Sequence, residues 1–287
     1  MAKKEAFMDR ELLRQIPKVL RARDFHLYIE GGKRLVDLWL QGGRAILGHK
    51  PPRFLAELKN AAERGLFSTL PHPMERRLIK ALGEFFPGRA FRLYNDEGAL
   101  YGALGEAGRA GPFTDPAFPR AGLQQSEKTG ALFWRPFMED PPEAAILIPV
   151  LPWPLGPSVL VLEKEMEASF PAGELVPPVL LAPAARALYD LTRALKDPGS
   201  KRSVKSFPKI EKALGQPPGG SIWRTRGIYL TVEPEMDGEK YGIMFMHFLD
   251  GGFLIPPSQG EPLILPAAMS SGEESKLAEL LRLKPEL

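Results

Sequence analysis

A chain of 287 residues, 44% apolar and 25% charged, is long enough to bury a real core and is not composed for disorder. Its 38 Lys and Arg against 35 Asp and Glu leave a net charge of only +3, with no basic stripe interleaved with aromatics, so nucleic acid is not an expected partner. The lack of cysteine excludes a disulfide framework, a thiol nucleophile and a thiolate metal site.

Met1 to Arg23 mixes charged residues with Leu12, Leu13, Ile16, Val19 and Leu20, which predicts an amphipathic helix interrupted by Pro17, without the apolar core of a signal peptide. From Phe25 the pattern turns strand-like: His26 to Ile29, a turn at Glu30 to Lys33, then Arg34 to Leu40, closed by Gly42 and Gly43. Pro51 and Pro52 open a helix carrying Phe54, Leu55, Leu58, Ala61 and Ala62 inward, and a second helix runs from Glu75 to Phe86. Ala90 to Tyr94 reads as a short strand, followed by a small-residue helix from Glu97 to Gly108. The proline-dense middle, Pro112 to Pro183, predicts short strands and extended loops before a helix from Ala184 to Lys196. Further strands are expected at Ile228 to Glu233, Phe253 to Pro256 and Leu263 to Leu265, then a helix from Glu273.

The longest apolar run, Ala144 to Leu151, contains Pro149 and is too short to span a bilayer, so the expectation is a cytoplasmic protein with no membrane partner. His26, His49, His72 and His247 are scattered, and no histidine or carboxylate has metal spacing to His49, so no metal site is expected. Gly219, Gly220 and Ser221 lack the Lys-Ser/Thr of a phosphate loop. Lys196, Lys201, Arg202, Lys205 and Lys209 read as a solvated loop more readily than as an anion site.

Several segments, in order, resemble class III aminotransferases, enzymes that use pyridoxal phosphate (PLP). Asp24 to Pro52, with Gly31, Asp37 and the closing Ile46-Leu-Gly-His-Lys-Pro51, is similar to the family's glycine, aromatic, aspartate, leucine-glycine-histidine-x-x-proline stretch. The likeness continues through Arg77 to Gly88, Glu127 to Phe133, Ser158 to Leu188, and Thr225 to Glu274. The resemblance implies an α/β protein of PLP-dependent fold type I, with a truncated large domain and an α+β small domain built from both chain ends. The implied division is residues 1–60 for the N-terminal part of the small domain and an interface segment, 61–200 for the large-domain remnant, and 201–287 for the C-terminal small domain. Between Arg109 and Glu127 the large-domain core, including the aspartate that pairs with the cofactor ring nitrogen, has no counterpart.

At the surviving positions the implied chemistry is replaced. The serine-glycine-threonine turn that grips the cofactor phosphate at a helix N-terminus matches Asp96, Glu97 and Gly98, where two carboxylates compete for backbone N–H groups and repel a dianion. Asp96 is a good N-cap instead. Alignment of Pro142-Glu143 and Trp153-Pro-Leu-Gly156 puts Ile148 or Pro149 at the Schiff-base lysine, while the phosphate-binding threonine falls near Pro178 and the carboxylate-binding arginine near Pro262. A rival register takes Lys164 to Gly173 as the lysine segment, with Lys164 as the Schiff-base residue after a strand, Ser158 to Leu162.

These readings lead to an expected aminotransferase-like protein without PLP or other cofactor, catalytically silent and acting as a binding, regulatory or scaffold subunit. The expected assembly is a homodimer, or a heteromer with a full-length relative. The alternatives are an active PLP-dependent aminotransferase or aminomutase using Lys164, and a binder of apolar ligands lined by Trp134, Phe137 and Trp153.

Overall fold

The computed structural model describes residues 11–109, 113–118, 130–138, 143–197, 199, 203–215, 222–233 and 236–282. The sequence readings at Met1 to Arg10, Glu127 to Thr129, Pro142, Lys201, Arg202 and Gly219 to Ser221 lie outside them. The chain divides into two compact units, one formed by residues 1–49, 137–139 and 199–287, the other by residues 50–136 and 140–198.

In the first unit helix α1, described over residues 11–15, gives way at Pro17 to strand β1 (Val19–Arg23) rather than continuing. β1 pairs with β2 (His26–Ile29), β2 with β3 (Arg34–Asp37), and β3 lies parallel to β10 (Phe253–Leu254), giving the order β1-β2-β3-β10. A second sheet is ordered β11-β9-β8, from β8 (Trp223–Arg226), β9 (Tyr229–Val232) and β11 (Leu263–Ile264). The further α-helices described in this unit are α6 (Pro208–Gly215), α7 (Gly238–Asp250) and α8 (Ser271–Arg282). Sequence reading passed over α7, although Tyr241, Met244, Phe245, Phe248 and Leu249 recur at helical spacing and are all buried.

The second unit holds a sheet ordered β4-β7-β6-β5. β7 (Ser158–Leu162) is buried at every position, as an uninterrupted Val-Leu-Val-Leu run requires of a central strand covered on both faces. It runs antiparallel to both β4 (Ala90–Tyr94) and β6 (Ile146–Pro149), while β5 (Ala131–Trp134) lies parallel to β6. The C-terminal ends of β4, β5 and β6 therefore share one end of the sheet, and that of β7 lies at the other.

One face of this sheet packs Leu93, Leu147, Val159 and Val161 against α2 (Pro52–Glu63), α3 (Met74–Phe85) and α5 (Pro178–Lys196). The opposite face buries Tyr94, Ile148, Leu160 and Leu162 against Leu100, Ala103 and Leu104 of α4 (Glu97–Glu106). Helix α5 begins at Pro178, six residues before the sequence-predicted start at Ala184. Pro178 stands at its first position, where the missing N–H has no intrahelical role, and Pro183 removes one further bond inside the helix.

Candidate functional site

The turn from β4 into α4 lies at the sheet end shared by β4, β5 and β6. Asp96 has extended backbone (φ −148°, ψ 179°), and its side chain accepts a hydrogen bond from Ala99 N–H at 2.9 Å, the capping bond expected from the sequence. Asn95 is held from a second direction, by Glu174. Its backbone N–H and its Nδ2 both donate to Glu174 Oε2, at 2.8 and 2.9 Å, and Nδ2 also reaches Leu175 O at 3.2 Å. On another side, a Cβ placed on Gly156 would stand 2.8 Å from the Asn95 carbonyl oxygen, so the β6–β7 connection packs directly on this turn.

The electrostatic character of the turn follows from these bonds. Two backbone donors that a bound anion would use, Asn95 N–H and Ala99 N–H, are engaged by the chain's own carboxylates, and Glu97 adds a third acid in the first helical turn. All three complement the positive end of α4. A phosphate dianion meets occupied donors and like charge here, so these residues do not fit a phosphate group as they stand.

Beneath the turn, Tyr94 is 2% exposed, and its hydroxyl is without a hydrogen-bond partner among the described residues. Burial pushes the phenol pKa up; Arg92 opposes that shift, while Glu174 and Glu106 add to it. In the β6–β7 connection Trp153 is also buried, with no hydrogen-bond partner for Nε1 among the described residues and its ring centroid 3.7 Å from that of Phe54. At the end of β5, Arg135 forks onto Asp115, with Nε 2.9 Å from both carboxylate oxygens and NH2 2.5 Å from Oδ2. Thr114 bridges Leu132 in parallel, so Asp115 emerges at the same sheet end.

The positions matched to the lysine, Ile148 and Pro149, close β6 and are buried. From Val150 to Pro157 the connection at this end contains no lysine. Lys164 follows a strand, as the rival register requires, but the strand is β7, which runs the other way. It opens an exposed 3-10 turn beyond Leu162, and Leu162 pairs with Ala90 at the far end of β4. Pro178 and Pro262 are both buried.

The aromatic residues are committed to packing. Trp134 meets Phe85 and Phe86 edge-on, with centroids 5.8 and 5.1 Å away, and Trp153 lies in the same core cluster. Phe137 belongs to the other unit. Lys209 is anchored through Nζ to Ser271 and Ser275.

In the first unit the structure supplies a relationship that sequence spacing missed. Asp37, 1% exposed, accepts from Trp39 N–H and Leu40 N–H through Oδ1, each at 2.9 Å, and its Oδ2 lies 2.8 Å from His49 Nε2. The pair locks a bend in which Leu40, Gln41, Gly42 and Gly43 all have positive φ. Among the described residues no cluster of three or more His, Asp or Glu side chains is placed to hold a metal, and no helix is long and apolar enough to cross a membrane.

No family model matches the chain. It is 27% identical to an uncharacterized protein of Treponema pallidum (strain Nichols) over 297 aligned residues, covering 89% of this chain and 91% of that one. It is also 32% identical to glutamate-1-semialdehyde 2,1-aminomutase of Thermus thermophilus over 71 residues, which are 25% of this chain and 17% of the aminomutase. Among solved structures, ornithine delta-aminotransferase of Plasmodium falciparum matches with a TM-score of 0.68 at 11% identity, over 96% of each chain. Ornithine aminotransferase of Toxoplasma gondii matches with a TM-score of 0.67 at 15% identity, over 98% of this chain and 94% of that one. A structure described as a transaminase with PLP bound matches with a TM-score of 0.65 at 14% identity, over 98% and 97%.

The fold is thus the mixed α/β fold of the PLP-dependent aminotransferases, as the sequence resemblance implies. The same findings correct the expectation of a chain without cofactor. A transaminase of this fold is described with PLP bound, so the expectation of a chain without cofactor is withdrawn, even though Asp96 and Glu97 stand where the resemblance puts the phosphate grip.

Proposed function

We propose that this chain is an aminotransferase-like protein with a reduced large domain that has lost lysine-dependent catalysis and acts as a binding, regulatory or scaffold subunit in the cytoplasm. The observation that carries the reading is the strand polarity of the second unit. The connection at the shared end of β4, β5 and β6 has no lysine, and Lys164 stands at the end of β7 that points away. PLP would supply an aldehyde that forms an imine with a lysine amine; here Ile148 or Pro149 of β6 stands where the family resemblance puts that lysine, the following connection has none, and any PLP taken up is held without a covalent bond. The test is reduction with borohydride after incubation with PLP, followed by peptide mass mapping. The expected result is no stoichiometric pyridoxyl mass on any lysine. A single fully labelled lysine, together with amino-group transfer, sinks the reading in favour of a working enzyme.

The proposed assembly is a homodimer, or a heteromer with a full-length relative. Leu155 and Leu175, 60% and 45% exposed, flank the Asn95 turn, and exposed side chains of this size are readily covered by a twofold contact. Light scattering at micromolar concentration is expected to give twice the chain mass; a stable monomer removes the case for a scaffold.

A further inference from the structure

Helix α5 carries Arg186, Asp190 and Arg193 at the spacing of one helical face, and α2, which packs against it, adds Arg53 and Glu57. Arg186 forks onto Asp190, with NH2 2.7 Å from Oδ1 and Nε 3.3 Å from Oδ2. Glu57 accepts from Arg77 NH2 of α3 at 3.3 Å. The hydrogen bond to Asp190 holds the Arg186 pKa above its ordinary value and the charge of Glu57 adds to this, so the two pairs are neighbours. Each acid thus has an arginine of its own. Arg53 and Arg193 are left with a share of Asp190 Oδ1, their NH1 atoms standing 3.6 and 3.8 Å from it, too far for a hydrogen bond. Neither guanidinium donates a hydrogen bond among the described residues, and the two side chains are 54% and 60% exposed, against 16% for Asp190. The carboxylate lies inside and the two spare guanidinium groups lie outside, gathered on one oxygen.

We propose that Arg53 and Arg193 form a clamp for a phosphate group on the outer face of α2 and α5. Four guanidinium groups against two carboxylates leave two positive charges on this face, the charge that a phosphate dianion matches. The planar fork of arginine suits phosphate oxygens, and each such contact is charge-assisted. Asp190 does not stand against the anion: both its oxygens are engaged by Arg186, and its charge holds together three cations that would otherwise repel one another. Helix α2 also opens at Pro52 with no side-chain cap and no acid in its first turn, so its positive end, beside Arg53, is not offset. The inference uses no residue of the Asn95–Gly98 turn and does not rest on the loss of catalysis: a trapped lysine would sink that reading and leave the clamp intact.

The test is a calorimetric titration of the full chain with inorganic phosphate and, separately, with glycerol 3-phosphate as a monoester. Wild type is compared with the double variant Arg53→Ala with Arg193→Ala, with the matching double lysine variant, and with the control Arg224→Ala, an exposed arginine of the other unit, each checked for native circular dichroism. Wild type is expected to bind at least one probe saturably, and the double alanine variant to bind it at least about tenfold more weakly, as loss of charge-assisted pairs requires. The double lysine variant, which keeps the charge but not the fork, should fall between. Binding of both probes identifies the bare phosphate group as sufficient, and binding of glycerol 3-phosphate alone identifies the monoester. No saturable binding of either probe by wild type, unchanged affinity in the natively folded double alanine variant, or an equal loss in Arg224→Ala overturns the clamp.

Discussion

Leu162 faces Ala90 across the antiparallel β4–β7 ladder, at the end opposite the Tyr94–Ser158 pair that adjoins the Asn95 turn. Lys164 lies two residues beyond Leu162, so at about 3.3 Å per strand residue it is roughly 15–20 Å from that turn. Lys164 is exposed and forms no salt bridge among the described residues. Lys164→Ala is therefore expected to change unfolding free energy by less than about 0.5 kcal/mol and to leave any PLP titration unchanged. Loss of PLP absorbance in this variant would show that the lysine reaches the cofactor.

Asp96 caps a helix that needs it. α4 contains Gly98, Gly102 and Gly105, each costing up to about 1 kcal/mol relative to alanine in a helix interior. Asp96→Ala should destabilise the fold by about 1 kcal/mol in urea denaturation, and Asp96→Ser, which keeps a capping oxygen, by a few tenths. Equal losses in both variants would mean that the charge at this position, and not the capping bond, is what matters.

Much of this architecture is legible in the residues. The β2–β3 hairpin, α2 to α4 and the buried Val-Leu-Val-Leu strand follow from periodicity and turn chemistry, because each buries its own apolar face close to where the pattern is written. The misreadings have local causes. β1 carries an amphipathic-looking stretch but lies on an edge, where exposed Val19 and Leu20 blur the pattern. Pro183 reads as a helix breaker, yet α5 absorbs it one turn and a half in. The Glu174–Asn95 contact spans 79 residues and rests on strand polarity, which composition does not encode. The same is true of Lys164: its place after a strand was visible, the direction of that strand was not.

Arg135 and Asp115 form a nearly buried, forked ion pair at the end of β5, with side-chain exposures of 6% and 14%. Removing one partner leaves an uncompensated charge in a place with little access to water. Asp115→Ala is expected to cost about 3 kcal/mol or more, whereas Arg135→Leu combined with Asp115→Leu should cost distinctly less, because neither charge then remains stranded. Denaturant midpoints for the single and double variants check this, and a double variant as unstable as Asp115→Ala would show that the pair holds the fold by more than its charges.

Glu273 gives the fold an acid-sensitive joint in the first unit. Burial alone would raise its pKa, but a hydrogen bond from Ser270 N–H, further ones from His26 and the Ser270 hydroxyl, and the charge of His26 outweigh it and bring the carboxyl down to about 2. Its oxygens lie 2.9 Å from His26 Nε2, 3.0 Å from Arg34 NH2 and 2.8 Å from Ser270 N, tying the start of α8 to β2 and β3. The folded value lies below the ordinary 4.5, so the unfolded state binds the proton more readily. The stabilisation is then fully present above pH 4.5 and is lost as pH falls towards 2, with a size on the order of 2–3 kcal/mol. In Glu273→Gln the unfolding free energy at neutral pH should drop by an amount of that order, and its decline between pH 4.5 and 2 should flatten relative to wild type. Parallel acid limbs for wild type and variant, measured by urea denaturation at stepped pH, would place the acid sensitivity on other carboxylates.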